Sequence, residues 1–379
     1  MPRATYSFVD NIRCIAILAI VTEHTSFLGS YVYSPDSSPF WAYLTSLQLV
    51  KFGTIAFFII AGFLFAENSN DYSFFEYLRR RFNNIFKPWL IWSLTFLFLL
   101  TAGTAITALR TGVSMRLIIS GIWWGVKTVY LYSNYWFIVN FFFCTTILLL
   151  SKKIIKSRWF GLTLFLFTCF YSLNIYTEWI NSKHTTALLG FVFFYWLGVQ
   201  LNIHYSSVEK KLKSTSFHWF VLLVMGSLGV AVLEASHLYD LRKEDPINTL
   251  RLTNIIFSIA VFALLLKIKK FDWITPLQPR KTTYGIFLIH YIIVATGLPI
   301  LLGTANVESI QQFSIADMYI YQFSRFTVVY VPSFALVTML SRSDFSWLIG
   351  VRTPSKPVFA NVPARTIEMQ KQALETEAA

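Results

Sequence analysis

Arg13 and His24 stand on one face of the first strongly apolar segment, YSFVDNIRCIAILAIVTEHTSFLGS at 6–30. Eleven residues at ~100° each make about three turns, so the guanidinium and the imidazole project from one stripe, roughly 16 Å apart along the helix axis. Ionisable groups inside an apolar span are costly to keep and are functional candidates for that reason. A hydroxyl is a weak nucleophile until a base takes its proton, and histidine has the unperturbed pKa nearest operating pH. His24 is therefore the candidate base, with an interhelical hydrogen bond as its bland alternative. Asp10 lies three residues before Arg13, within reach for an ion pair that neutralises both charges. Glu23 projects ~100° away from His24 and is not the orienting carboxylate.

His290, in TYGIFLIHYIIV, falls roughly 12 Å into a late span by helical rise, as a polar contact to a substrate or as a satisfied packing histidine. Arg79, Arg80 and Arg81 form a basic triple beside a span, where guanidinium groups can grip phosphate bidentately or simply anchor the topology. His184, His204, His218 and His237 fall at span ends or in loops without metal-ligand spacing. The chain contains no P-loop, H-E-x-x-H or G-x-S-x-G element.

The elements that must position these residues are membrane helices. Of 379 residues, 55% are hydrophobic and only 13% charged, and the mean hydropathy of +0.54 is far above that of soluble domains. Windows of roughly 20 apolar residues mark ten candidate spans, with cores near 9–29, 47–66, 84–103, 135–151, 159–175, 185–203, 217–235, 250–267, 282–302 and 318–340. The fold class is thus all-α and polytopic. Lys and Arg concentrate after the second, fourth, sixth and eighth spans, which puts both termini in the cytoplasm. The net charge of +13 is read as this topology signal, with no nucleic-acid partner. Cys14, Cys144 and Cys169 all lie in apolar segments and read as small core residues. Residues 104–134 read as an interfacial or re-entrant element. A transmembrane domain over 1–345 is followed by a cytoplasmic tail, 346–379, that ends in a stretch too polar to build a core.

The first span resembles the opening signature of the acyltransferase-3 family of integral-membrane acyltransferases, in which an Arg or Lys is followed after ten residues by His, as Arg13 and His24 are here. Three further blocks agree in order: KFGTIAFFIIAGFLF at 51–65, RRRFNNIFKPW at 79–89 and TTYGIFLIHY at 282–291. The resemblance implies O-acylation by a protein with no bound cofactor, using acetyl-CoA or a related acyl-CoA as donor and a cell-envelope carbohydrate as acceptor. It implies a bacterial inner-membrane location with the bilayer as partner. On this reading His24, Arg13 and Asp10 form the catalytic group, and Arg79, Arg80, Arg81 and Lys87 meet the donor. His290, Tyr284 and Trp136 contact substrate, although Tyr284 and Trp136 are also what an interfacial aromatic belt would supply. Two positions depart from the family pattern: Asn84 stands where a second arginine is usual, and Ala61 replaces a serine before Gly62. The alternative reading is a polytopic transporter of glycan or lipid.

The basic-loop alternation predicts that cysteines introduced near Asp36 and Val307 react with an impermeant reagent from outside the cell, whereas those near Lys153 and Lys211 do not. Labelling from outside at Lys153 would invert the map.

Overall fold

In a hydrocarbon layer every backbone N–H and C=O must be satisfied within the protein, and for isolated apolar segments of this length the helix is the solution. The structure, a computed structural model, describes residues 6–28, 32–35, 37–68, 71–111, 115–303 and 307–351. These form α1 (Ser7–Ser26), α2 (Ser38–Val50), α3 (Gly53–Asn68), α4 (Phe74–Arg81), α5 (Lys87–Thr111), α6 (Met115–Lys127), α7 (Trp136–Leu150) and α8 (Arg158–Thr177). They continue through α9 (Val192–Ile203), α10 (Tyr205–Ser214), α11 (Phe217–Asp240), α12 (Leu252–Ile268), α13 (Pro279–Ile292), α14 (Leu298–Leu302), α15 (Val307–Gln311) and α16 (Ile315–Ser341), with no strand among the described residues.

Six of these helical runs are long and apolar enough to cross a membrane, and up to eight if each of two bent pairs is one span. The bent pairs are 118–132 with α7, at 55°, and 188–203 with α10, at 84°. The first of them covers part of the segment expected to be re-entrant. Each of the ten apolar segments falls on a helix, but α1 carries three charges and α12 only 17 residues, so neither qualifies on length and apolarity. Residues 346–351 pack onto the bundle: Leu348 O accepts a 3.0 Å bond from Trp92 Nε1, and Tyr284 lies against Gly350. Position 36 and the rest of the tail, 352–379, lie outside the described residues.

The basic connections gather at one end. There Trp196 Nε1 and Gln200 Nε2 donate to Ile155 O, Lys267 Nζ donates to Leu212 O and Thr215 O, and Asn11 Nδ2 donates to Lys269 O. At the opposite end Lys183 pairs with Glu244, Lys243 with Glu178, and Arg325 Nε donates to Thr25 O.

Two glycines set the closest approach in the bundle. A Cβ on Gly62 of α3 would stand 1.8 Å from Tyr195 O, and one on Gly198 of α9 would stand 2.0 Å from Ile59 O. Only glycine lets the two backbones meet, which is how small residues bring helices together in a membrane. Among the described residues three π-helical turns, Phe82–Phe86, Thr128–Tyr132 and Ile293–Gly297, interrupt the regular pattern. Residues of all three pack on the core formed by Trp89, Val129, Ile138, Ile286 and Ile289 around α13. Such turns recur where a helix must re-aim side chains at a site.

Overpacking predicts that Gly62→Ala or Gly198→Ala costs about 1–3 kcal/mol or more. Gly226→Ala, with nothing within 4 Å of the new methyl, should be harmless. Thermal unfolding of the detergent-solubilised protein checks this, and equal midpoints for Gly62→Ala and Gly226→Ala would contradict the close contact.

Candidate active site

α1 and α13 lie side by side and bring together residues 266 positions apart: His24 Nδ1 stands 2.9 Å from His290 Nε2. The two rings are nearly parallel, 3° apart. His290 Nδ1 is 2.9 Å from Ile286 O, and a carbonyl can only accept, so Nδ1 carries the proton. In the neutral ring Nε2 must then accept, and it accepts from His24 Nδ1–H. The lone pair left over is on His24 Nε2. His290 is fully buried and both its nitrogens are engaged, whereas His24 keeps partial exposure. The pair therefore has one nitrogen available as a base, and its tautomer is set three atoms away by a backbone carbonyl.

Neighbouring side chains hold α13 at this level. Asn134 Nδ2 donates to Phe287 O at 2.6 Å and Tyr135 Oη to Leu288 O at 2.5 Å, while Trp89 Nε1 donates to Tyr135 O at 3.1 Å. Gly285 lets Val337 of α16 approach, since a Cβ there would meet its methyls at 2.8 Å. Tyr291 closes edge-on over His24, ring centres 5.1 Å apart.

A cavity of about 360 Å³ runs from the basic end toward this pair. Arg13, Arg81 and Arg280 line it together with Asn84 and Gly350, and Phe57, Ile60, Phe137, Phe141 and Phe287 supply apolar wall. No carboxylate is among its described lining residues. Its farthest lining residues on α1 and α13 are Ile20 and Phe287, one turn before His24 and His290 respectively. The Phe287 and His290 ring centres are 6.3 Å apart.

The structure sorts the residues expected from sequence. His24 and His290 meet; Arg13 is at the cavity's basic end, about three turns from His24 and not beside it. Asp10 does pair with Arg13, Oδ1 to Nη1 at 3.2 Å, and its other oxygen is 3.8 Å from Arg280 Nε. Of the basic cluster only Arg81 lines the cavity, its guanidinium also donating to Tyr77 Oη at 2.9 and 3.1 Å. Arg80 turns to Glu76 and stacks on Tyr72, Lys87 lies over Trp347, and Arg79 is exposed. Tyr284 lines the cavity with its ring while its hydroxyl donates to Ile85 O in a π turn, at 2.5 Å. Trp136 is not in the cavity wall; it packs edge-on against His184, centres 5.4 Å apart.

Arg280 and Thr283 were not singled out by sequence reasoning. The available signal was their place on the helix that carries His290: Arg280, Thr283, Tyr284, Phe287 and His290 fall within an arc of about 120°.

On the side of His24 away from the cavity mouth lies a set of paired charges. Lys51, buried, binds Glu23 at 2.6 Å, so the carboxylate next to His24 is engaged elsewhere. His184 binds Asp245 at 2.8 Å, and buried Arg251 lies 3.6 Å from Glu234 and donates to Ala231 O and Gln48. Burial alone would raise the Asp245 carboxyl, but the hydrogen bond from His184 and the charges of His184, Lys51 and Arg251 outweigh it and hold its pKa below the ordinary value.

Fold and site together define a polytopic helical membrane protein with a histidine pair beyond the inner end of a cavity whose mouth is lined with arginine. A family model described as an acyltransferase domain, that of the acyltransferase-3 family, matches residues 6–342. The chain belongs to that family and is a membrane acyltransferase, which sets the transporter reading aside. Comparison with curated proteins and with solved structures returned no match.

The cavity geometry makes the arginines unequal. For a phosphate-bearing ligand at this mouth, Arg81→Lys, which keeps the charge but loses the guanidinium fork, should weaken binding noticeably, whereas Arg79→Lys should leave it unchanged. Equal affinities of both variants and wild type for acyl-CoA, measured on purified protein, would argue against Arg81 as a phosphate contact.

Proposed function

We propose that this acyltransferase moves an acetyl or other short acyl group from cytoplasmic acyl-CoA to a hydroxyl of an envelope polysaccharide or its lipid-linked precursor, within a bacterial inner membrane. The observation that carries the reading is the free Nε2 of His24 one turn beyond an apolar cavity whose other end bears three arginines.

The cavity lies near the lower end of the about 300–1,000 Å³ typical of small-molecule sites, which suits an acylated pantetheine arm with its nucleotide left at the rim. Phosphates at that rim meet Arg13, Arg81 and Arg280, with Asp10 as a single carboxylate between two of them. The acceptor hydroxyl approaches from the opposite end. His24 Nε2 takes its proton, the oxygen bonds to the thioester carbonyl carbon, and the carbon–sulfur bond breaks. The departing thiolate then takes the proton from His24. The positive charge carried between these steps is shared through Nδ1–H with His290, whose Nε2 accepts while Ile286 O holds its other nitrogen. Trp136, His184 and Asp245 lie together on the acceptor's side, an aromatic face beside hydrogen-bonding groups of the kind that suits a sugar.

The direct test is mass spectrometry of envelope glycans with and without the gene, seeking an acetyl-sized mass difference removed by mild alkali. His24→Ala should lower turnover about 10²–10⁴-fold with the protein still inserted, since proton transfer is what is lost. His290→Ala should lower kcat with the KM for acyl-CoA little changed, because it orients the base without touching the donor. His24→Ala retaining more than about a tenth of wild-type turnover would rule out the base assignment.

A further inference from the structure

The helix that carries His290 also carries, about two turns nearer the mouth, a group that the reaction as described leaves unused. Thr283 lines the cavity and is 3% exposed, yet its hydroxyl has no hydrogen-bond partner. The contrast with its neighbour is sharp: Thr282 Oγ1 donates to Leu277 O at 2.7 Å and to Gln278 O at 3.2 Å, the second being the bond four residues back that a helical threonine ordinarily makes. A buried hydroxyl left without a partner is unfavourable unless something completes it. The hydroxyl oxygen is itself shielded in this rotamer, and a change of χ1 that exchanges it with the methyl, with no bond to break, would be needed to present it to a ligand in the cavity. Three residues earlier Arg280 lines the mouth with its side chain 69% exposed, its carboxylate contact to Asp10 a long one at 3.8 Å. Across the mouth Asn84 presents an amide where a guanidinium would add charge and a bidentate fork.

We propose that α13 is itself the donor-reading element: Arg280 supplies the phosphate contact that Asn84 does not, and the Thr283 hydroxyl hydrogen-bonds an amide of the pantetheine arm. This rests on the acyl-CoA reading above. The distances agree with it. Thr283 lies seven residues before His290, about 10 Å along the axis. In an extended pantetheine arm the two amides lie roughly 4 and 9 Å from the thioester sulfur. With the thioester below the histidine pair, an amide falls beside Thr283 and the phosphates reach the level of Arg280.

Three probes separate the parts: acetyl-CoA, acetyl-pantetheine, which keeps both amides but lacks the nucleotide phosphates, and the full-length protein's own thermal midpoint as a folding control. Affinities are measured on detergent-purified protein by displacement of labelled acetyl-CoA. Arg280→Gln should weaken acetyl-CoA about 10- to 100-fold, as for a hydrogen bond to a charged group, and leave acetyl-pantetheine unchanged. Thr283→Val should weaken both ligands equally, by about 3- to 10-fold, while Thr283→Ser, which keeps the hydroxyl, stays near wild type. Wild-type protein that binds acetyl-CoA, with Thr283→Val silent or Arg280→Gln weakening both ligands alike, overturns this inference and leaves the donor reading standing. Wild-type protein with no saturable acetyl-CoA binding overturns both.

Discussion

The hydrogen bond between His24 and His290 is the contact on which the rest depends, because it converts two separated segments into one polar unit inside the bundle. Its direction is not a free choice. The Ile286 carbonyl accepts only, so each proton along the line is assigned in turn and the free lone pair emerges on His24. A single bond of this kind is worth only about 1 kcal/mol net and cannot by itself hold two helices in register. The register is imposed by packing and by bonds to α13's own backbone from Asn134 and Tyr135, two residues adjacent in sequence that grip successive carbonyls just before His290.

Close backbone approach makes that packing possible. Glycines at 62 and 198 let α3 and α9 touch, and Gly285 lets α16 lie against α13. At the cavity the chain departs once from a regular helix. The π turn at Phe82–Phe86 carries Asn84 and Ile85 to the cavity wall, and the carbonyl of Ile85 finds its partner in the hydroxyl of Tyr284. A tyrosine of this kind ties two walls of the cavity together with one end and lines it with the other.

The two ends handle charge differently. Away from the cavity mouth, the buried cations Lys51 and Arg251 each have a carboxylate nearby, as burial in a low-dielectric interior demands, since a lone charge there costs several kcal/mol. At the mouth Arg13 and Arg280 share Asp10 while Arg81 turns to the Tyr77 hydroxyl, an excess of positive charge among the described lining residues that an anionic ligand would relieve. The asymmetry runs along the same axis as the proposed reaction, with the proposed donor at the under-neutralised end.

Composition and local pattern alone determined the class of fold: apolar segments of membrane length have one way to satisfy their backbones, and the placement of basic residues orders them end to end. Spacing within a single helix also made His24 and Arg13 legible, because residues eleven apart share a face whatever surrounds them. What a helix meets is not written in its own periodicity. That His290 faces His24, that Arg81 reaches the cavity while Arg79 and Arg80 do not, and that Arg280 and Thr283 share its wall all depend on the relative rotation of helices distant in sequence. That rotation is set by contacts such as Gly62 on Tyr195 and Asn134 on Phe287, in which each partner is unremarkable alone. Tertiary structure decided the site because a hydrogen bond or a cavity wall is a property of two segments at once, and the sequence of either one leaves the angle between them undetermined.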